Sequence, residues 1–460
     1  MQNLWVLTEE RPKNSVVKTI LEEYCREYNA AISVNDSLKI KPIFANGVFT
    51  FDYAVENISI TDIGKITIKI VSGNSSFVDY LLVRSENVPD DHSVSGILMA
   101  IEETKTGDDG SRNTAVYQRA SKFVYIDNYC PNAKKYMLYN EEMTPDAERM
   151  PTATNVFGTG MMLTLGVRFI GKTMGSAFKA FTSIDELIAK KGEMHLPNST
   201  NVPILIKKIS DNEITVSGRL VKNDTLSHDP NIGGLSLIGA TLRKLGWQGK
   251  ITITRHGLKQ EYITKTRGRN KGLYLFAKLG MSLDGITMPA NVSMPEAYWN
   301  YSETSEKVAS ILLHLTAQYA GIHGIYENHA GCERGYYRRG NGSLFALPKK
   351  DAAGVNLYLP DLVLRNDTDK EIYLIEGKKI ETLSKGLEEI EDYGSIENEY
   401  ITPDYPAYKI SRWLSIFGGE KAALPHPHVL LYVAAGGKVI LNPNAPAAIK
   451  SAFRAVGLAV

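Results

Sequence analysis

The chain has 460 residues, 52 Lys and Arg against 51 Asp and Glu, and a formal net charge of +1. Its 43% hydrophobic and 22% charged residues exclude a wholly disordered chain, and the length suggests about three domains at roughly 150 residues each. The charge balance excludes a global basic signature, so a nucleic-acid partner would need positive charge concentrated locally.

Three cysteines, Cys25, Cys130 and Cys332, lack CxxC spacing and argue against a disulfide framework or a structural zinc site. A reducing compartment, and with it a cytoplasmic location, is expected. The start of the chain, Met1 to Arg11, has no basic-then-apolar signal pattern. The most apolar stretch, Phe157 to Phe178, carries Arg168, Lys172 and several glycines and falls short of a spanning helix. No membrane partner is expected.

No short repeat or low-complexity tract is present. Breaker clusters at Asn140–Asn155 and Thr287–Thr304 divide the chain into an N-terminal domain (1–150), a central segment (151–295) and a C-terminal domain (296–460). The N-terminal domain opens with a helix pattern at Val16–Tyr28. Strand-like runs follow at Phe49–Tyr53, Lys65–Val71, Phe77–Val83 and Ile97–Ile101, then a helix at Asn113–Ile126 and a strand at Lys135–Tyr139. In the central segment, His228–Gly234 reads as a turn into a helix at Leu235–Leu245. Its glycine amides and Asn231 could meet a phosphate, though Asp229 starting a turn is the plainer reading. The C-terminal domain begins with an amphipathic helix at Lys307–Tyr319. A strand pair at Leu357–Leu364 and Glu371–Ile375 follows, joined by the turn residues Arg365-Asn-Asp-Thr-Asp369. A helix at Leu383–Tyr393 and a buried strand at His428–Ala434 complete it. The two ends therefore share an order of helix, strands, helix, strand.

Two acidic-x-Lys triplets stand out, Glu103-Thr104-Lys105 and Glu376-Gly377-Lys378. Each ends an apolar run and precedes a helix pattern. Each also has an upstream aspartate in or beside a strand-like run, Asp79 and Asp361, the latter in Leu359-Pro360-Asp361 with fourteen residues between it and Glu376. In a strand, residues two apart share a face, so Glu376 and Lys378 would point together. Two carboxylates and an ammonium can hold a hard cation and stabilise charge on a phosphate. Glu327 and Glu333 are further carboxylate candidates, with a plain surface role the simpler reading for both.

This arrangement resembles the PD-(D/E)xK nuclease superfamily, and type II restriction endonucleases within it. The C-terminal copy matches the spacing, proline included, over about 100 residues. In the N-terminal copy the aspartate lacks the preceding proline and the gap to Glu103 is long; Asp90 and Asp91 are alternative partners. Gln118 resembles a glutamine often found in the helix after the motif. The resemblance implies α/β, mixed-sheet, restriction-endonuclease-like cores flanked by helices, with a central mixed α/β segment. It implies catalytic residues Asp361, Glu376, Lys378, Asp79, Glu103 and Lys105, with Mg²⁺ on Asp361, Glu376, Asp79 and Glu103.

Positive charge is concentrated at Arg243–Lys278, with ten Lys or Arg against the single acid Glu261. Arg255, Lys259, Gln260, Lys265, Arg267 and Arg269 are the expected contacts to double-stranded DNA, and Arg338 and Arg339 form a second cluster. A solvated basic face is the alternative. No P-loop or nucleotide-binding glycine fingerprint occurs, so no nucleotide cofactor is expected. The leading reading is a Mg²⁺-dependent, sequence-specific endonuclease with two centres in one chain. The alternatives are a single-centre nuclease acting as a homodimer and a non-catalytic DNA-binding module.

Overall fold

The computed structural model describes residues 2–458, apart from 74–75, 91–95, 105–114, 140–152, 172–173, 195–203, 223–224, 227–229, 265–270, 290–291, 293–297, 302–305, 329–335, 349 and 351–353. It is a mixed α/β structure in two compact units. One comprises Met1–Ser72, Ser85–Val88 and Tyr301–Val460; the other comprises Gly73–Arg84 and Pro89–Asn300. This division does not follow the three segments expected from the breakers, because residues 1–72 fold with the C-terminal part of the chain.

Several contacts explain that association. Arg11 donates to both carboxylate oxygens of Glu327 at 2.7 Å. Tyr319 Oη donates to Glu56 at 3.0 Å, the Phe49 amide donates to the Gly437 carbonyl at 2.9 Å, and the Phe51 and Phe417 rings meet edge to face. Glu327 is thereby held in a partly buried bidentate ion pair with Arg11.

In the first unit, Gln2–Thr8 pairs in parallel with Ile63–Ile70, which continues antiparallel into Val48–Ile60 and on to Ile32–Ala45. Asn46 and Gly47 both have positive φ and join Ala45 to Val48, as a two-residue hairpin turn requires. The second sheet of this unit runs, edge to edge, His323–Glu327, Leu362–Asn366, Glu371–Lys379, Lys409–Phe417, Val429–Val433 and Val439–Leu441. Glu371–Lys379 pairs antiparallel with Leu362–Asn366 and parallel with Lys409–Phe417. Its residues Ile372 to Ile375 are fully buried, as expected of a central strand covered on both faces. Helix Lys307–Tyr319 lies on the face of Gly377, where an added Cβ would come 2.5 Å from Ser310 Oγ. Helix Leu383–Glu391 lies on the opposite face, where a Cβ on Gly386 would come 2.8 Å from Lys378 Cγ. Arg412 ties the end of that helix down, donating to both oxygens of Glu397 and to the carbonyls of Ile390 and Glu391.

Two further runs of four strands follow the same pattern. In one, Tyr80–Ser85 pairs antiparallel with Ile97–Thr104, which pairs in parallel with Lys134–Tyr139 and that strand with Arg168–Ile170. In the other, Leu205–Ser210 pairs antiparallel with Glu213–Ser217, followed in parallel by Lys250–Ile253 and Met281–Leu283. Helix Ala115–Tyr129 makes the first parallel connection and helix Pro230–Lys244 its counterpart. Among the described residues a hairpin followed by two parallel strands thus occurs three times, although no short sequence repeat marks it.

The predicted helices at Val16–Tyr28, Asn113–Ile126, Lys307–Tyr319 and Leu383–Tyr393 appear as Asn14–Tyr28, Ala115–Tyr129, Lys307–Tyr319 and Leu383–Glu391. Strands Gln2–Thr8, Ile32–Ala45 and Lys409–Phe417 lie outside the predicted runs. The apolar stretch from Phe157 breaks after helix Ala153–Thr164, where Gly166 takes positive φ. Among the described residues no helix is long and apolar enough to cross a membrane.

Candidate active site

The strand pair brings Asp361 and Glu376 together. Leu362 is the register partner of Ile375, so one step further Asp361 stands opposite Glu376, and opposite residues of an antiparallel pair share a face. The backbone of Asp361 is held in place by its own carbonyl, which accepts from the Asn328 amide at 2.8 Å. Its Oδ2 accepts the Gly377 N–H at 2.8 Å. Any side chain at Gly377 would crowd that carboxylate, because a Cβ would lie 3.1 Å from Asp361 Oδ2.

Glu376 and Lys378 point to the same face, as the two-residue spacing predicts, and are 6% and 8% exposed. Lys378 Nζ donates to Glu376 Oε1 and, at 2.8 Å, pairs with Glu389 Oε2 of the following helix. Tyr393 Oη donates to the other oxygen of Glu376. Burial holds the carboxyl of Asp361 well above the ordinary aspartate range, and the charge of Glu376 adds to the effect. Glu306, at the start of the Lys307–Tyr319 helix, raises it further. Burial also raises Glu376, against the opposing attraction of Lys378. For Lys378, burial disfavours the ammonium, but Glu376 and Glu389 outweigh it and hold the lysine charged. The site is therefore a carboxylate pair whose negative charge the surrounding protein does not fully neutralise.

Glu389, Tyr393 and Glu306 escaped the reading of the sequence. A signal existed for two of them. Gly386, Glu389 and Tyr393 are spaced three and four apart, so on a helix following the motif strand they form one stripe. The glycine admits Lys378 and the two polar residues meet it and Glu376.

At the N-terminal copy the register differs from the expected trio. Tyr80 pairs with Ile101, so the residue opposite Asp79 is Glu102, not Glu103. Glu103 lies on the other face, where its Oε2 accepts from Tyr80 Oη at 3.1 Å, and its backbone N–H donates to Asp79 Oδ2 at 2.6 Å. Lys105, Asp91 and the side chain of Gln118 lie outside the described residues.

The basic segment is only partly available for a ligand. Arg255, Lys259 and Gln260 are exposed, but the Gln260 amide clamps Thr287 through both its N–H and its carbonyl. Arg243 is spent on the carbonyls of Leu279, Trp247, Gly249 and Gly280. Lys265, Arg267 and Arg269 lie outside the described residues. Arg338, at the end of the Tyr336–Arg338 hairpin strand, and Arg339 just after it are exposed, with Arg339 3.3 Å from Asp404. Gly233 and Gly234 fall inside helix Pro230–Lys244, where a Cβ on Gly233 would come 2.6 Å from the Tyr117 carbonyl; these glycines let two helices pack closely rather than form a phosphate loop.

No family model, curated protein or solved structure matches this chain. The site therefore has to be read from its own chemistry. Among the described residues no three or more His, Cys, Asp or Glu side chains converge as a preformed metal cage. The donors of Asp361 and Glu376 are hard carboxylate oxygens in excess of local positive charge, and two carboxylates completed by water and substrate phosphate are what Mg²⁺ ordinarily uses. The residues present fit that ion.

Proposed function

We propose that this protein is a Mg²⁺-dependent endonuclease acting on double-stranded DNA, of restriction type, with a working centre at Asp361, Glu376 and Lys378. The observation that carries the reading is the half-buried Asp361 beside the buried Glu376, both carboxyls pushed upward by burial and Asp361 further by the charge of Glu376, next to a lysine held charged. Burying like charges together costs stability, and a fold tolerates such strain most readily where a ligand or a reaction uses it. The order of helix, strands, helix and strand around this pair also agrees with the nuclease core that the motif implies.

In this reading Asp361 and Glu376 would hold Mg²⁺, which supplies Lewis-acid stabilisation of a phosphoryl oxygen when bound. Lys378 stays protonated and faces the charge that builds on the phosphate. In the hydrolysis the oxygen of water bonds to phosphorus and the P–O bond to one bridging sugar oxygen breaks. The proton lost by water balances the one gained by the departing alkoxide. Glu389, on the following helix, and Tyr393, in the turn after it, orient Lys378 and Glu376.

The test is incubation of the purified chain with supercoiled plasmid in Mg²⁺ and in EDTA. Cutting in Mg²⁺ and none in EDTA is expected; cutting that survives EDTA would overturn the metal-dependent reading, and DNA retention without cutting at any divalent ion would favour the binding module. Within this reading the exposed Arg255 and Lys259 touch phosphates. Replacing both by Ala is expected to lower the slope of log affinity against log salt by about one unit for each phosphate no longer neutralised. An unchanged slope in a salt titration would return these residues to solvent.

A further inference from the structure

We infer that Asp79, Glu102 and Lys122 form a second hydrolytic centre of the same kind, with its lysine supplied by the helix after the motif strand instead of by the strand itself. The inference rests on the reading of the Asp361 centre, and it identifies residues that the triplet Glu103-Thr104-Lys105 does not.

Three observations carry it. The first is register. In both hairpins an aspartate stands just outside the first paired residue, and a glutamate stands opposite it: Asp361 with Glu376, Asp79 with Glu102. The second is an unusual hydrogen bond made twice. Asp361 Oδ2 accepts the N–H of Gly377, the residue after Glu376, at 2.8 Å. Asp79 Oδ2 accepts the N–H of Glu103, the residue after Glu102, at 2.6 Å. A carboxylate bonded one residue past its cross-strand partner fixes the correspondence without reference to sequence motifs, and it pairs Glu102 with Glu376 and Thr104 with Lys378. The third is the cation. Where the strand offers Thr104, Lys122 of helix Ala115–Tyr129 reaches Glu102 instead, at 2.7 Å from Oε1 and 2.8 Å from Oε2. Glu102 is 3% exposed, and Lys122 approaches it from the following helix, the element that carries Glu389 in the first centre.

The sheet that begins with Leu205–Ser210 is an internal control. Its hairpin has the same topology, and its register places Ile204 opposite Gly218 at the equivalent step. The topology therefore does not by itself place carboxylates there. They occur in the two sheets where a lysine also reaches the glutamate. Two carboxylates and one ammonium give each centre the chemistry for the same hydrolysis, water adding across a P–O bond of a DNA phosphate.

The experiment uses the full chain, Mn²⁺ alone as the binding probe and supercoiled plasmid as substrate. The wild-type chain is expected to bind two Mn²⁺ and to cut both strands. Glu102→Gln and Glu376→Gln are each expected to bind one Mn²⁺ and to leave open circles. Lys122→Ala should bind two and still leave open circles, because it removes a charge and not a ligand. Glu103→Gln should behave as wild type. The inference is overturned if Glu102→Gln keeps both ions and full cutting, or if Glu103→Gln loses an ion. If Glu376→Gln is unaffected while Glu102→Gln loses its ion and its cutting, the Asp361 reading fails and this one stands. If Glu376→Gln alone abolishes binding and cutting, the second centre fails and the first stands. A wild-type chain that neither binds Mn²⁺ nor cuts overturns both.

Discussion

Glu376→Gln is expected to reduce cleavage at its centre by at least about 10³-fold while leaving the protein folded and able to retain DNA. The size follows from removing an interaction aimed at charge that develops only in the transition state, where a single preorganised group is worth about 10²–10³ in rate, with the lost metal ligand added. The replacement keeps the shape of the side chain and an oxygen that can accept from Tyr393 or Lys378. Lys378 also retains Glu389, so the ammonium is not left unpaired. Neutralising a carboxyl whose affinity for protons is already raised by burial removes a cost from the folded state, so unfolding is not the expected result. DNA retention rests mainly on phosphate contacts by Lys and Arg and should persist. Single-turnover cleavage and a gel shift on the same preparation check both halves. A variant that cuts its strand at the wild-type rate would remove Glu376 from the mechanism, and loss of DNA retention together with cutting would mean that the site is structural.

Asp361→Asn is expected to stabilise the metal-free protein at neutral pH. In the folded chain Asp361 holds its proton to a higher pH than it does unfolded, chiefly through burial and then through Glu376. The native state therefore binds more protons than the unfolded state between the ordinary aspartate range and the raised value, and stability falls as pH rises through that window. Below the ordinary range both states are protonated and the penalty is absent. Each pH unit of upward shift corresponds to about 1.4 kcal/mol. Asparagine keeps an oxygen to accept the Gly377 N–H but carries no charge, so it escapes the penalty. Urea midpoints of the two proteins should converge below the ordinary aspartate range and separate in favour of the variant as pH rises, in metal-free buffer. Mg²⁺ should then stabilise the wild-type protein and not the variant, because a ligand that binds only the native state raises its stability by mass action. A wild-type protein that is the more stable of the two at pH 8 without metal would show that Asp361 is satisfied by the fold alone.

The same physics explains why the C-terminal trio was legible in the sequence. Its hairpin is local: a turn rich in Asn and Asp joins two strands of obvious β-branched and apolar character, and the spacing of two places Glu376 and Lys378 on one face whatever the rest of the chain does. Helix Lys307–Tyr319 was equally readable from its apolar stripe.

The N-terminal trio depended on something that local pattern does not carry. Ile97 to Ile101 is almost wholly apolar, so alternation along the strand does not reveal which face a following glutamate takes. A slip of one residue exchanges the faces, and the choice between Glu102 and Glu103 was made by pairing with Tyr80–Ser85. Lys122, twenty residues beyond Glu102, arrives by helix packing, which no short motif encodes. Tertiary contacts likewise assigned residues 1–72 to the C-terminal unit, through Arg11 with Glu327 and Phe49 with Gly437. They also withdrew Arg243 and Gln260 from the basic surface by giving them backbone partners. Composition and spacing thus determined the kinds of element and the chemistry near one turn. Register and long-range packing, which depend on residues far apart in the chain, decided which carboxylates and which cations meet.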